Sequence, residues 1–166
     1  MSLAIRAAQP ADGALILSLL RELAAYEKLS AEVEATEEKI AAALFCDAPR
    51  LFCEIAMWNG EAAGFSTWFP NYSTFRGSRG IFIEDLFVRA PYRGRGIGKG
   101  LMASLARRCI DEGYGRCEWA VLGWNAPSIA FYKSIGAQVR DDWLICRLSG
   151  DALARFARQG MTGTAP

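Results

Sequence analysis

The stretch from Ile81 to Glu112 limits the fold more than any other. An apolar, β-branched and aromatic run, Ile81 to Val88, leads into Arg93-Gly94-Arg95-Gly96-Ile97-Gly98, and an amphipathic helical period follows from about Lys99 to Glu112. A strand that enters a glycine-rich turn and leaves as a helix belongs to an α/β layer, not to an all-β or all-α domain. The rest of the chain repeats that alternation. Leu3 to Arg6 reads as a strand. Asp12 then caps a helix with apolar positions Leu15, Ile16, Leu19, Leu20 and Leu23, fading near Tyr26-Glu27. A weaker helix follows Thr36 to about Phe45. Leu51 to Trp58 and Ala62 to Phe69 are strand-like, joined at the hairpin dipeptide Asn59-Gly60.

Beyond these, Pro70 to Gly80 has the composition of a loop, and Cys117 to Leu122 that of a strand. Asn125 caps a helix with Pro127 in its first turn, and Gly136 closes it. Val139 to Leu148 supplies a further strand, and Asp151 caps a short terminal helix. The expectation is one domain over residues 1–160, with residues 161–166 a flexible tail.

Composition removes whole classes of chemistry. The chain has no histidine, so Ser-His and Cys-His couples and imidazole metal sites are excluded. Any proton transfer must use Glu, Asp, Tyr, Lys, Cys, a backbone amide or water. Five cysteines without a CxxC pair argue against a disulfide framework or a thiolate metal site, so no metal is expected and the cytoplasm is the expected compartment. A net charge of +1 advertises neither nucleic acid nor a membrane surface as a partner. Arg6 and Asp12 interrupt any leader-like apolar run, and no stretch approaches the roughly 20 apolar residues of a membrane helix.

The Arg93–Gly98 segment has the makings of an anion site. Free N–H groups and the positive end of a helix dipole attract phosphate, glycines permit close approach, and Arg93 and Arg95 add charge and forked donors. The alternative is a glycine-rich turn with solvated arginines. Walker A fails, because Arg93 stands where a glycine is required and Gly100 where Ser or Thr is required. The dinucleotide fingerprint fails as well, since Lys99 or Leu101 falls at its last glycine.

Arg93-x-x-Gly96-x-Gly98 opening a helix resembles the pyrophosphate loop of the GNAT acetyltransferases. Ile83-Glu84-Asp85-Leu86-Phe87-Val88 is similar to that family's strand beside the pantetheine arm. Asn125-Ala126-Pro127-Ser128-Ile129-Ala130-Phe131-Tyr132-Lys133 resembles its Asn-x-x-Ser/Ala-x-x-Phe-Tyr helix. Glu22-Leu23-Ala24-Ala25-Tyr26-Glu27, Tyr92-Arg93-Gly94 and Trp124-Asn125 are most similar to the spermidine/spermine and thialysine acetyltransferase branch. The resemblance implies a mixed, splayed central sheet with helices on both faces. Acetyl-CoA would lie between the strands ending at Val88 and Leu122, touching Leu86 to Val88, Arg93 to Lys99, Asn125 to Ser128 and Tyr132. It further implies a small-molecule amine acceptor and a homodimer.

The same resemblance makes Tyr132 the general acid. The chemistry is sound, since a phenol of pKa about 10 holds a proton that a thiolate of pKa about 8.5 can receive. Packing on an amphipathic helix is the plainer role for Phe131 and Tyr132. Glu84 and Asp85 interrupt an apolar strand, and alternation sends them to opposite faces. Glu84 is the candidate amine-binding group or water-mediated base; a salt bridge or edge exposure would also account for it. Tyr26, Glu27, Glu118, Trp119 and Asp142 stand where the related enzymes touch substrate, although Glu118 replaces a histidine found in some of them. Two other readings share the CoA site: a peptide or protein N-terminal acetyltransferase, and a non-catalytic acyl-CoA-binding module.

Overall fold

The computed structural model describes residues 2–159. It divides after Leu122 into two compact units. The first holds a five-stranded sheet in sequential order: β1 (Leu3–Ala7), β2 (Phe52–Trp58), β3 (Glu61–Ser73), β4 (Ser78–Val88) and β5 (Cys117–Trp119). The first four strands run antiparallel, and β5 joins β4 in parallel. Helices α1 (Gly13–Glu27) and α2 (Glu37–Leu44) cover one face, and α3 (Ile97–Asp111) covers the other. The expected mixed α/β sheet with helices on both faces is therefore present.

Each face has its own core. On the α1/α2 side, Ile16, Leu19, Leu23 and Leu44 pack on Ile55, Phe65 and Phe87. On the α3 side, Ile97 and Leu101 pack on Ala56 and Ala63. A fully buried side chain such as Leu19, Ile55 or Phe65 contributes about 1.5–3 kcal/mol in transfer free energy. Thr36 caps α2 as expected, its hydroxyl accepting from the Lys39 N–H at 3.3 Å. Asn59 and Gly60 both take positive φ, 51° and 87°, which closes the β2–β3 hairpin.

Several expectations need correction. Asp12 stands at the start of α1 but does not cap it; its carboxylate grips Arg6 at 2.7 and 2.8 Å and accepts from the Gln9 N–H. The cation and the preceding amide outcompete the helix. Pro70–Gly80 is not a loop, since β3 and β4 continue pairing from Pro70↔Ile81 to Ser73↔Ser78 and leave a turn over residues 74–77. The strand expected over Cys117–Leu122 stops at Trp119.

The second unit contains α4 (Ala126–Ser134) and α5 (Gly150–Gln159). Asn125 caps α4, its Oδ1 accepting from the Ser128 N–H at 3.3 Å, and Gly136 follows at φ 90°. Val139 to Leu148 forms no strand. Strand propensity needs a neighbour to ladder with, and Arg140 here folds back on Asp142 through two bonds of 2.9 and 2.6 Å. The tail expected at 161–166 lies outside the described residues. No helix among those described is long and apolar enough to cross a membrane.

Candidate active site

The β4–β5 ladder runs from Ile81↔Cys117 to Ile83↔Trp119 and ends there, while β4 continues to Val88 paired with β3 alone. The sheet thus splays at Glu84, and among the described residues no strand pairs with Leu86 to Val88 on the β5 side. A bulge sits at the same point. Thr67 pairs with Asp85 and Trp68 with Ile83, which leaves Glu84 as an extra residue of β4. The strict alternation expected for the two carboxylates is interrupted there. Glu84 is exposed, whereas Asp85 is turned into a cavity under α1 and α2.

Beyond β4 the chain makes a short turn, Ala90–Tyr92, and reaches the glycine loop. Gly94 and Gly96 hold φ of 74° and 79°, a left-handed backbone that other residues adopt at a cost of roughly 1–2 kcal/mol. Gly96 occupies the N-cap of α3 and has no side chain to cap it, so the first amides of α3 lack a capping side chain. A Cβ at either glycine would meet nothing within 4 Å. Open space before uncapped helix amides suits an anion such as a pyrophosphate.

Both loop arginines also brace the protein itself. Arg93 stacks over Tyr26 at 4.6 Å and Phe87 at 5.7 Å, and its Nε donates to the Val88 carbonyl at 2.9 Å. Arg95 lies over Trp58 at 5.6 Å and donates to the Pro91 carbonyl. Tyr26, expected at the acceptor, is thereby linked through Arg93 to the glycine loop. Arg89 makes a related clamp, donating to both oxygens of Glu22 on α1 and to the Ala62 carbonyl.

The cavity on the α1/α2 side has a volume of about 380 Å³, within the roughly 300–1,000 Å³ usual for small-molecule sites. Its walls are apolar: Ile16, Leu20, Ile40, Leu44, Leu51 and Phe65. Four polar residues complete it. Thr67 and Asp85 come from the sheet, and the exposed Glu34 and Lys39 stand at its rim. The Thr67 hydroxyl donates to Asp85 Oδ2 at 2.5 Å and so occupies one of the two carboxylate oxygens. Burial lifts the Asp85 carboxyl to about 6, against the pull of that hydrogen bond, and the charges of Glu84 and Glu27 push the same way. Burial also pushes the Glu27 carboxyl up.

Glu118 and Trp119, also expected at the substrate, are not among the residues that line this cavity. Glu118 is ion-paired to Arg116 at 2.8 Å and accepts from Asn71 at 3.0 Å. Trp119 follows it on β5, half-buried. Asp142 is paired with Arg140 in the second unit. Tyr132 lies on α4, its ring 5.3 Å from that of Phe131. Sequence reasoning missed Thr67, Lys39 and Glu34. The one available signal was Asp85 itself, a carboxylate inside an apolar strand.

Residues 16–137 match the Acetyltransferase (GNAT) family, and the chain belongs to that family; it is an N-acetyltransferase. Among curated relatives it is 37% identical to the thialysine N-epsilon-acetyltransferase of Bos taurus, over 92% of this chain and 96% of that protein. It is 32% identical to the L-ornithine N5-acetyltransferase of Arabidopsis thaliana, over 90% and 85% of the two chains. Among solved structures, an integron cassette protein of V.cholerae superposes with a TM-score of 0.79 at 27% identity, covering 95% of this chain and 99% of that one.

Proposed function

We propose that this N-acetyltransferase takes its acetyl group from acetyl-CoA and gives it to the primary amine of a small cationic molecule, a diamine, polyamine or lysine analogue. The acceptor cavity carries the reading: apolar walls for an aliphatic chain, and the Thr67-oriented Asp85 beside the β4 bulge for an ammonium.

In this reading the amides at the start of α3 hold the pyrophosphate. The Leu86–Val88 backbone takes the pantetheine arm and polarises the thioester carbonyl. Asp85 receives the ammonium, and Glu84, exposed at the bulge, takes its proton through water. The amine nitrogen then attacks the thioester carbon in a ternary complex, forming the C–N bond. The C–S bond breaks, and Tyr132 protonates the departing CoA sulfur. The family resemblance adds a homodimer, which light scattering coupled to size exclusion would test.

The deciding experiment is a screen of primary amines, read as CoA thiol release and by mass of the acetylated product. Turnover that needs both acetyl-CoA and a cationic small-molecule amine is the expected result. Turnover with N-terminal peptides alone would reject the reading.

A further inference from the structure

Cys109 in the last turn of α3 and Cys117 at the first residue of β5 bring their sulfurs to 3.2 Å. Their spacing of eight residues escapes any CxxC pattern, so only the fold reveals the pair. The connection between them fixes that approach. Gly113 turns the chain at φ 67°, the Tyr114 N–H donates to the Cys109 carbonyl at 2.7 Å, and the Gly115 N–H donates to the Arg79 carbonyl at 2.8 Å. The Ile81 N–H donates to the Arg116 carbonyl at 2.9 Å, which sets Cys117 opposite Ile81 in the β4–β5 ladder. A Cβ at Gly115 would come within 2.8 Å of Ser78 Oγ, so the turn passes close against β4. Cys109 is buried and Cys117 half-buried, so a reagent reaches Cys117 first.

We infer that Cys109 and Cys117 are a redox-active dithiol that a low-molecular-weight disulfide such as glutathione disulfide converts to a protein disulfide, stapling the end of α3 to β5. The Cys117 thiolate attacks one sulfur of the oxidant, forming a mixed disulfide and releasing one glutathione thiolate, which takes up a proton. The Cys109 sulfur, already in contact, gives its proton to solvent and attacks the Cys117 sulfur. The second glutathione then leaves as a thiolate and is protonated in turn. Two electrons pass from the protein dithiol to glutathione disulfide. Closing from 3.2 Å to the roughly 2.05 Å of an S–S bond needs only a small movement at a helix end. Burial, with the Cys109 sulfur alongside, pushes the Cys117 thiol up to about 12, so the pair reacts slowly near neutrality and answers sustained oxidation. The bond would hold an edge strand of three residues, whose ladder with β4 ends where the sheet splays. The acyl transfer proposed above uses neither thiol.

The test incubates the full chain with glutathione disulfide at about pH 8.5, where thiolate is more abundant. Free thiols are then capped with N-ethylmaleimide, and a non-reduced tryptic digest is read by mass. Cleavage after Arg108, Arg116 and Lys133 puts the two cysteines on separate peptides, 109–116 and 117–133. The expected product is these two peptides joined, and parted again by dithiothreitol. Oxidised wild type should melt about 5–10 °C above its reduced form, because the closed loop constrains the unfolded chain. Cys109→Ser should retain glutathione on Cys117 and show no such rise. The two peptides recovered unlinked after the exposed Cys46 and Cys146 have reacted, or joined only to those cysteines, would overturn the inference. So would an oxidised form that melts no higher than the reduced one. The wild-type digest needs no substituted protein, so it decides the matter even where a variant fails to fold.

Discussion

Replacing Asp85 with asparagine separates what the residue costs the fold from what it gives the reaction. Burial, helped by Glu84 and Glu27, lifts its carboxyl from 3.8 to about 6. The folded protein therefore holds this proton more tightly than the unfolded chain does. Below pH 3.8 the group is protonated in both states and its ionisation costs nothing. Between 3.8 and about 6 stability falls as pH rises, and above that the cost is constant. At 1.36 kcal/mol per unit the shift amounts to about 3 kcal/mol, and the open cavity beside the carboxyl trims this to about 2–3 kcal/mol. Asparagine has the same shape and keeps an acceptor for the Thr67 hydroxyl. Asp85→Asn should thus be more stable than wild type at pH 7.5, with a Tm about 4–10 °C higher. The gain should fade as pH falls from about 6 to 4, while kcat/KM for the amine falls by about 10²-fold or more. Thermal unfolding followed by circular dichroism from pH 4 to 8, alongside the CoA-release assay, measures both. A Tm that drops at pH 7.5, or a difference indifferent to pH, would refute the electrostatic account of this site.

Three other expectations concern the remaining parts. Gly96→Val places a β-branched residue at φ 79° on the N-cap of α3, so acetyl-CoA affinity by calorimetry should fall about tenfold or more while the acceptor cavity is undisturbed. Equal affinity would mean that the loop does not hold the pyrophosphate. Tyr132→Phe keeps the ring and should lower kcat by about 10²- to 10⁴-fold with acetyl-CoA affinity retained; a few-fold loss would assign the proton to water or another group. Arg89→Ala removes the clamp between Glu22 on α1 and the Ala62 carbonyl, and should cost about 1–2 kcal/mol in urea unfolding at constant m.

Features carried by one or two neighbouring residues were legible in the sequence. Asn59-Gly60 marks the hairpin because few other pairs tolerate two successive positive φ values. Gly94 and Gly96 mark the loop for the same reason, and Asn125 caps α4 because its short side chain reaches the Ser128 amide. Features that exist only between distant segments were not legible. Pro70 and Gly80 look like loop residues singly, yet the ladder pairs them with Ile81 and Asn71 and draws the strands on to Ser73 and Ser78. Asp12 has the identity of a helix cap, but Arg6, on the strand before it, claims the carboxylate.

The adjacent carboxylates of β4 show where that boundary falls. Alternation alone treats Glu84 and Asp85 as equivalent residues on opposite faces. The register of β3 decides between them, because Thr67 pairs with Asp85 while Trp68 pairs with Ile83, and Glu84 is left as the bulge. One residue then sits exposed at the splay of the sheet and the other under α1 and α2 with Thr67 on its oxygen. Their chemistry follows from that difference. A solvated carboxylate at the splay can pass a proton to water, whereas a carboxylate among Ile16, Leu44 and Phe65 is costly when charged and gains most from an arriving ammonium. Holding the amine and deprotonating it are opposed demands on a single group, because strong binding of an ammonium raises its pKa. In the proposed reaction, a bulge that gives two neighbouring carboxylates different surroundings lets β4 divide those demands between them.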